Sequence, residues 1–178
     1  MSQFNFKKTA KLGLISGIIV LSVSAIGMVQ TFNERDIITG VLTLGQLLLF
    51  SAPVIAGYLS WNRKQEHASA GIVILRGALV GFLSALPVIG LIALTRVWPD
   101  IRSSLVNVSP ALIEILTFGL GPGLGSLVLL IVMTIMGTMG AAFDLLPRKV
   151  QKPLFTGVIW VLSVGLLSEI LLLILRPF

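Results

Sequence analysis

The sequence predicts an all-α, polytopic membrane protein, a bundle of about five transmembrane helices plus one short interfacial or re-entrant helix. The chain of 178 residues is 56% hydrophobic and only 11% charged, and its mean hydropathy is +1.03. A soluble domain carries about 25% charged residues, and this chain has too few to cover a surface that faces water. Its apolar residues also fall in runs of about 20, the length of a helix that crosses the hydrocarbon core.

The apolar runs must form helices, because lipid cannot hydrogen-bond free backbone groups. We predict one transmembrane domain over residues 1–178 with spans at 12–30, 37–60, 71–95, 123–143 and 154–175. Ser109 followed by Pro110 is a helix-start signal. It predicts a short helix over 110–120 that cannot cross the membrane. This helix lies at the outer interface, or enters the membrane and returns.

Lysine and arginine are distributed unequally between the two sides of the predicted membrane. Eight lie in one set of loops: Lys7, Lys8, Lys11, Arg63, Lys64, Arg148, Lys149 and Lys152. Four lie in the opposite set: Arg35, Arg96, Arg102 and Arg176. Cytoplasmic loops carry the basic excess. We therefore expect a cytoplasmic N-terminus and an outside C-terminus, in the inner (plasma) membrane of a bacterium.

The formal net charge of +6 raises the question of nucleic acid as a partner. The basic residues form short clusters between apolar runs, and no basic face interleaved with aromatic residues indicates nucleic-acid binding. Attraction to anionic lipid headgroups accounts for the same charges. We therefore expect membrane lipids as partners, and no nucleic acid.

Small residues at helical spacing predict where helices touch. They are Gly13, Gly17, Gly77, Gly81, Ser84, Gly137 and Ala141. A spacing of about four residues places small side chains on one helix face, where they let two backbones approach closely. Two interpretations remain open. These faces pack the protein's own bundle, or they dock against a partner subunit.

Four polar residues at or near membrane depth are candidates for polar or lipid contacts. Gln46, near the centre of the second span, makes an interhelical hydrogen bond or binds a ligand. Arg76, about one turn into the third span, reaches headgroups or meets a carboxylate or substrate. Glu114 faces outer water or forms a site at a re-entrant turn. Glu169 pairs with an outer arginine or stays solvated.

The chain has no cysteine and a single histidine, His67. Disulfides, thiolate nucleophiles, iron–sulfur clusters and cysteine-ligated zinc are therefore excluded. A haem ligated by two histidines cannot form within this chain, and histidine-ligated chlorophyll lacks a ligand at membrane depth. We expect no metal, no catalytic residue and no cofactor other than bound lipid. The sequence thus predicts a non-enzymatic protein.

Residues 119–152 contain a glycine-broken helix, the run Met-Gly-Thr-Met-Gly-Ala-Ala and a Leu-Leu-Pro-Arg-Lys exit. This stretch resembles the N-terminal membrane extension of bacterial ABC transporter permeases of the branched-chain amino acid type. The resemblance implies an extension or a standalone relative of a permease. Such permeases contact their ATPase through a cytoplasmic coupling segment, whereas the loops 61–70 and 144–153 are short here. No substrate-binding residue carries over.

Two functions follow from these features, both for a subunit of a larger membrane complex. In the first, the chain is a permease-related transporter component, with a path lined by Gln46, Glu114 and helix kinks at Pro53 and Pro87. In the second, it is an accessory or scaffolding subunit of a respiratory or photosynthetic complex and docks through its glycine-rich helix faces. Other membrane protein subunits are partners in both.

Overall fold

Helices make up most of the structure. The computed structural model describes residues 6–34, 36–38, 42–60, 69–98, 108–147, 149–153 and 156–157. Contacts between Cα atoms divide the chain into two compact units, Met1–Leu145 and Leu146–Phe178. In the second unit the described residues 149–153 and 156–157 are helical, and the Gln151 side-chain amide donates to the Leu146 carbonyl at 2.8 Å. The single domain predicted over the whole chain stays a prediction.

The described part of the first unit contains six helices and one two-stranded ladder. In chain order they are α1 (Phe6–Ala25), α2 (Met28–Thr31), β1 (Asp36–Ile38), β2 (Leu42–Thr43), α3 (Leu44–Leu59), α4 (Ala70–Val97), α5 (Pro110–Leu116) and α6 (Gly121–Phe143). The two strands pair antiparallel, with Asp36 opposite Thr43.

Three of the described helices, α1, α4 and α6, have the length and apolar composition needed to cross a membrane. The protein is therefore a helical, membrane-embedded protein. Helix α3 is apolar but has only 16 residues, about 24 Å against a hydrocarbon core of about 30 Å. The predicted fifth span, 154–175, lies outside the described residues apart from 156 and 157.

Helix α4 packs along both α1 and α6, and α3 packs against α6, α1 and α4. Helices α1 and α4 run parallel, because Gly13 lies beside Val80 whereas Gly17 lies beside Pro87. Helix α6 runs antiparallel to α4, because Gly77 lies beside Ala141 and Gly81 beside Met133. Helices α2 and α5 pack together at the end of the bundle where α1 finishes.

Apolar side chains cover much of the outside of the bundle. Only 28% of the most apolar stretch of α6 is buried, and 44% of that of α4. The exposed residues of α6 include Leu124, Leu127, Ile131, Ile135 and Met139. They recur every three or four residues and therefore share one helix face. Soluble monomers rarely expose so large an apolar patch, whereas lipid accepts it without cost.

The boundaries predicted for the first two spans are wrong. Helix α1 begins at Phe6, not at residue 12, and ends before Gly27, which adopts a left-handed φ of 86°. Residues 36–38 and 42–43, predicted to be part of the second span, pair as strands, so α3 begins only at Leu44. The helices predicted for the third and fourth spans agree with α4 and α6 to within two residues.

The short helix α5 begins at Pro110 as predicted, and the Ser109 hydroxyl accepts the Leu112 N–H at 3.1 Å. It ends at Leu116 rather than at residue 120. Phe118 and Gly119 are left-handed there, with φ of 54° and 71°. Their N–H groups donate to the carbonyls of Ile115 and Glu114, at 3.2 and 2.9 Å, which is the Schellman pattern of a helix end. With 7 residues, about 10 Å, α5 does not cross a membrane.

Candidate functional site

The contact between α1 and α4 is built on Gly13 and Gly17. A Cβ atom at Gly13 would lie 2.7 Å from the Leu83 Cβ, and one at Gly17 would lie 2.7 Å from the Ser84 carbonyl oxygen. Such distances are too short for a side chain, so only glycine permits this approach. The Ser84 hydroxyl donates to the Val80 carbonyl at 2.7 Å and lies 3.2 Å from the Gly13 carbonyl oxygen. It therefore links the two helices as well.

The contact between α4 and α6 is equally tight. A Cβ atom at Gly77 would lie 2.5 Å from the Ala141 Cβ and 2.6 Å from the Gly137 carbonyl oxygen. One at Gly81 would meet the Met133 carbonyl oxygen and lie 2.7 Å from the Thr134 Cα. Backbone therefore packs directly on backbone, which provides the van der Waals contact on which helix association in lipid depends.

A third contact, between α3 and α6, was missed in the sequence. A Cβ atom at Gly57 would meet the Gly137 carbonyl oxygen, and one at Gly140 would lie 2.8 Å from the Val54 carbonyl carbon. Gly137 thus touches α3 as well as α4. The signal was present, since Gly140 lies three residues after Gly137. The spacing of four singled out one face of α6, whereas the helix uses two.

All seven predicted packing residues are buried in the first unit. Of the two interpretations left open by the sequence, the structure realises packing within the protein's own bundle. The seven residues leave no glycine face for a partner subunit, so the predicted mode of docking is wrong for them. Any contact with another protein must use other surface.

Gln46 lies in the first turn of α3, not near the centre of a span. The Thr43 hydroxyl accepts the Gln46 N–H at 3.1 Å, and Gln46 Oε1 accepts the Thr43 N–H at 3.2 Å, which is a capping box. The predicted position of Gln46 near the centre of a span is therefore wrong, whereas its predicted interhelical hydrogen bond or ligand contact stays a prediction. The cause is the strand pair. Because β2 extends to Thr43, α3 begins only at Leu44, and Gln46 therefore lies in its first turn.

Further polar groups join Thr43 at this end of the bundle. The Thr43 hydroxyl donates to Asn33 Oδ1 at 3.0 Å, and the Ser109 hydroxyl donates to Gln30 Oε1 at 2.7 Å. These bonds connect the start of α3 to the turn after α2, and the start of α5 to α2. They satisfy side chains that would otherwise be costly to place beside an apolar bundle.

Arg76 is only 4% exposed. Its side chain is enclosed by the protein and does not lie on the lipid-facing surface, so the predicted direct contact with headgroups is wrong. The other predicted partners, a carboxylate or a substrate, stay predictions. Arg76 and Arg96 are about 30 Å apart along α4 at about 1.5 Å per residue, with no charged residue between them. That distance matches the thickness of the hydrocarbon core.

Glu114 is exposed on α5. It borders a pocket of about 240 Å³ that is also lined by Pro110, Ile113, Thr117, Gly119, Gly121 and Pro122. This exposed position agrees with a side chain that faces water. The predicted alternative, a site at a re-entrant turn, stays a prediction. Glu169 lies outside the described residues.

Metal-binding chemistry has little support in the described part of the chain, where no group of three or more His, Cys, Asp or Glu side chains could hold an ion. His67 lies outside that part. The expectation that no metal or cofactor binds stays a prediction.

Comparison with family models, with curated proteins and with solved structures gives no match to this chain. The class of protein therefore rests on the fold, which is that of a helical, membrane-embedded protein with tightly packed glycine contacts. The resemblance of residues 119–152 to permease extensions stays a prediction.

Proposed function

We propose that this protein is a non-enzymatic integral membrane subunit of a larger membrane complex, in which it serves as a rigid helical body. The observation that carries the proposal is the meeting of three helices at Gly137. Gly57 of α3 and Gly77 and Gly81 of α4 all approach its backbone too closely for a Cβ atom. A bundle packed in this way has no room for water or substrate at that level, and it resists deformation.

The residues predicted to line a transport path support the same proposal by their positions. Gln46 is held in the capping box of α3. The Pro87 ring lies against α1, where a Cβ atom at Gly17 would be 2.8 Å from its Cδ and Cγ atoms. The two residues therefore have separate packing roles. An accessory or scaffolding role, for example in a respiratory or photosynthetic complex, accounts for both.

A permease-related transporter component is the second candidate. The observation that favours it is the pocket beside Glu114, at the turn between α5 and α6. This turn lies at the start of the stretch, 119–152, that resembles permease extensions. In that case a transported molecule would bind at the Glu114 carboxylate and the pocket at the end of the bundle, and not in the interior of the bundle.

The proposal includes a topology of about five crossings in a bacterial inner membrane, with a cytoplasmic N-terminus and an outside C-terminus. The charge asymmetry between loops supports it, and so does the distance from Arg76 to Arg96. Lipids and other membrane protein subunits are the partners in this arrangement, and the body of the protein needs no cofactor.

Purification from native membranes in mild detergent tests the proposal. We expect other membrane polypeptides to co-migrate with the chain in a fixed ratio on size-exclusion chromatography. An equally tagged, unrelated membrane protein of similar size serves as the control. An ATP-binding partner would favour the transporter, and a respiratory or photosynthetic partner the accessory role. A chain that migrates alone, and that gives no cross-linked product in intact membranes, would overturn the proposal of a subunit.

A further inference from the structure

We propose that the first half of α1 binds an anionic phospholipid, with the headgroup at Lys7 and Lys11 and the acyl chains along the apolar side chains that follow. The proposal rests on the membrane location of the protein and goes beyond its role as a subunit. It assigns a ligand class to a surface that the packing of the bundle does not use.

The charged part of this surface is exposed. Lys7, Lys8 and Lys11 all lie in the first two turns of α1 and face outward. No aspartate or glutamate precedes Glu34 in the sequence, and Glu34 lies in the turn after α2, beyond the far end of α1. The cluster therefore has no acidic neighbour on its own helix.

The helices with the most extensive contact to α1 carry no acidic residue. Helix α1 contacts α2, α3 and α4. Helices α2 and α3 contain no charged residue, and the charges of α4 are Arg76 and Arg96, both positive. By the register set at Gly13 and Val80, Arg76 lies at the level of residue 9, between the lysines. Asp144 follows α6 at this same end, since Gly77 lies beside Ala141. Among the described residues of the first unit, the three lysines and Arg76 outnumber this single carboxylate. The net charge at this end is therefore positive, and an anion complements it.

The apolar part of the surface continues the same helix face. Lys7, Lys11, Leu14 and Ile18 recur at the spacing of one helix face. Leu14, Ile15, Ile18 and Ile19 are each between 43% and 55% exposed. From Lys11 to Ile18 is about 10 Å at about 1.5 Å per residue. A molecule with an anionic end and apolar chains fits this surface, in which charged side chains are followed by apolar ones. A free phosphate would contact only the lysines.

The test titrates dioctanoyl phosphatidylglycerol into the full chain in a neutral detergent and follows binding by native mass spectrometry. We expect dioctanoyl phosphatidylcholine and free glycerol phosphate to bind at least about ten times more weakly. The pair Lys7→Gln/Lys11→Gln should weaken phosphatidylglycerol binding about 20-fold. The pair Lys7→Arg/Lys11→Arg, which keeps the charge, should retain it.

The control pair is Lys149→Gln/Lys152→Gln, which removes the same charge from the exposed lysines of the second unit. It should change the affinity less than about twofold. Equal loss in the two glutamine pairs would mean attraction by net charge only and would overturn the proposal, as would an unchanged affinity in Lys7→Gln/Lys11→Gln. Tight binding of glycerol phosphate by itself would point to a free anion instead. The assay uses purified chain, so its failure is distinct from failure to find a partner subunit.

Discussion

The ring of Phe118 stacks on the ring of Phe50, with centroids 6.3 Å apart and planes inclined by 8°. Phe118 sits in the left-handed region at φ 54°, at the position after a helix where glycine is usual. A side chain there costs about 1–2 kcal/mol. The stacking joins the end of α5 to α3, and pairs of this kind contribute about 0.5–1.5 kcal/mol beyond area burial. A local backbone cost is thus offset by a tertiary contact.

Replacement of Phe118 separates these two effects. Phe118→Gly and Phe118→Ala both lose the ring and should both be less stable than the wild type. Phe118→Ala also keeps the backbone strain, so it should be less stable than Phe118→Gly by about 0.5–1 kcal/mol, after the greater chain entropy of glycine is allowed for. Unfolding in detergent, followed by circular dichroism, measures the order. An alanine variant as stable as the glycine variant would show that the position carries no strain.

The glycine contacts predict a sharp difference between two positions of α4. Gly81→Leu places a side chain against the Met133 carbonyl and the Thr134 backbone and should destabilise the protein by up to about 3 kcal/mol. Gly90→Leu, on the same helix, meets nothing within 4 Å and should change the stability by less than about 0.5 kcal/mol. The two variants are compared by thermal unfolding in one detergent. Similar losses at both positions would contradict the packing of α4 on α6.

The capping box at the start of α3 predicts a specific role for a threonine hydroxyl. Thr43→Val keeps the shape but removes the acceptor for the Gln46 N–H and the donor to Asn33, and it should cost about 1–2 kcal/mol. The matched control is Thr138→Val, whose hydroxyl donates only within its own helix, to the Thr134 carbonyl at 2.8 Å. It should be near neutral. If the two variants have the same free energy of unfolding, the Thr43 hydroxyl does not stabilise the start of α3.

The proposed topology can be determined with single-cysteine variants, because the unaltered chain contains no cysteine. Glu34 and Ser69 are exposed and lie at opposite ends of the bundle, after α2 and just before α4. In spheroplasts, a membrane-impermeant maleimide should label Glu34→Cys and Phe178→Cys at once. Ser69→Cys should react only after the membrane is permeabilised, and the unaltered chain, which has no thiol, should not react at all.

The opposite pattern, with Ser69→Cys labelled first, would reverse the orientation. Labelling of Phe178→Cys only after permeabilisation would leave the N-terminal orientation intact and remove one crossing, because the C-terminus would then lie inside. The first result would show that the predicted orientation is wrong, and the second that the predicted number of spans is wrong.

The class of the protein and several of its elements were predictable from the amino-acid sequence. Composition and run length predict membrane helices at α4 and α6, since the free energy of placing apolar side chains in lipid depends on each segment alone. The start of α5 was predictable because Ser109 and Pro110 act within one turn. The spacing of Gly77 and Gly81 likewise marked a face that another backbone approaches.

The helices that these glycine faces contact could not be predicted, because residue spacing identifies a helix face and not the neighbour that covers it. Gly137 meets α3 and α4 together, which required two helices distant in sequence to converge on it. Gln46 lies in the first turn of α3 and not at the predicted span centre, because residues 42–43 pair with β1 and α3 begins only at Leu44. Arg76 is enclosed and does not face lipid because neighbouring helices cover it. Burial depends on the surrounding helices and not on depth along one span.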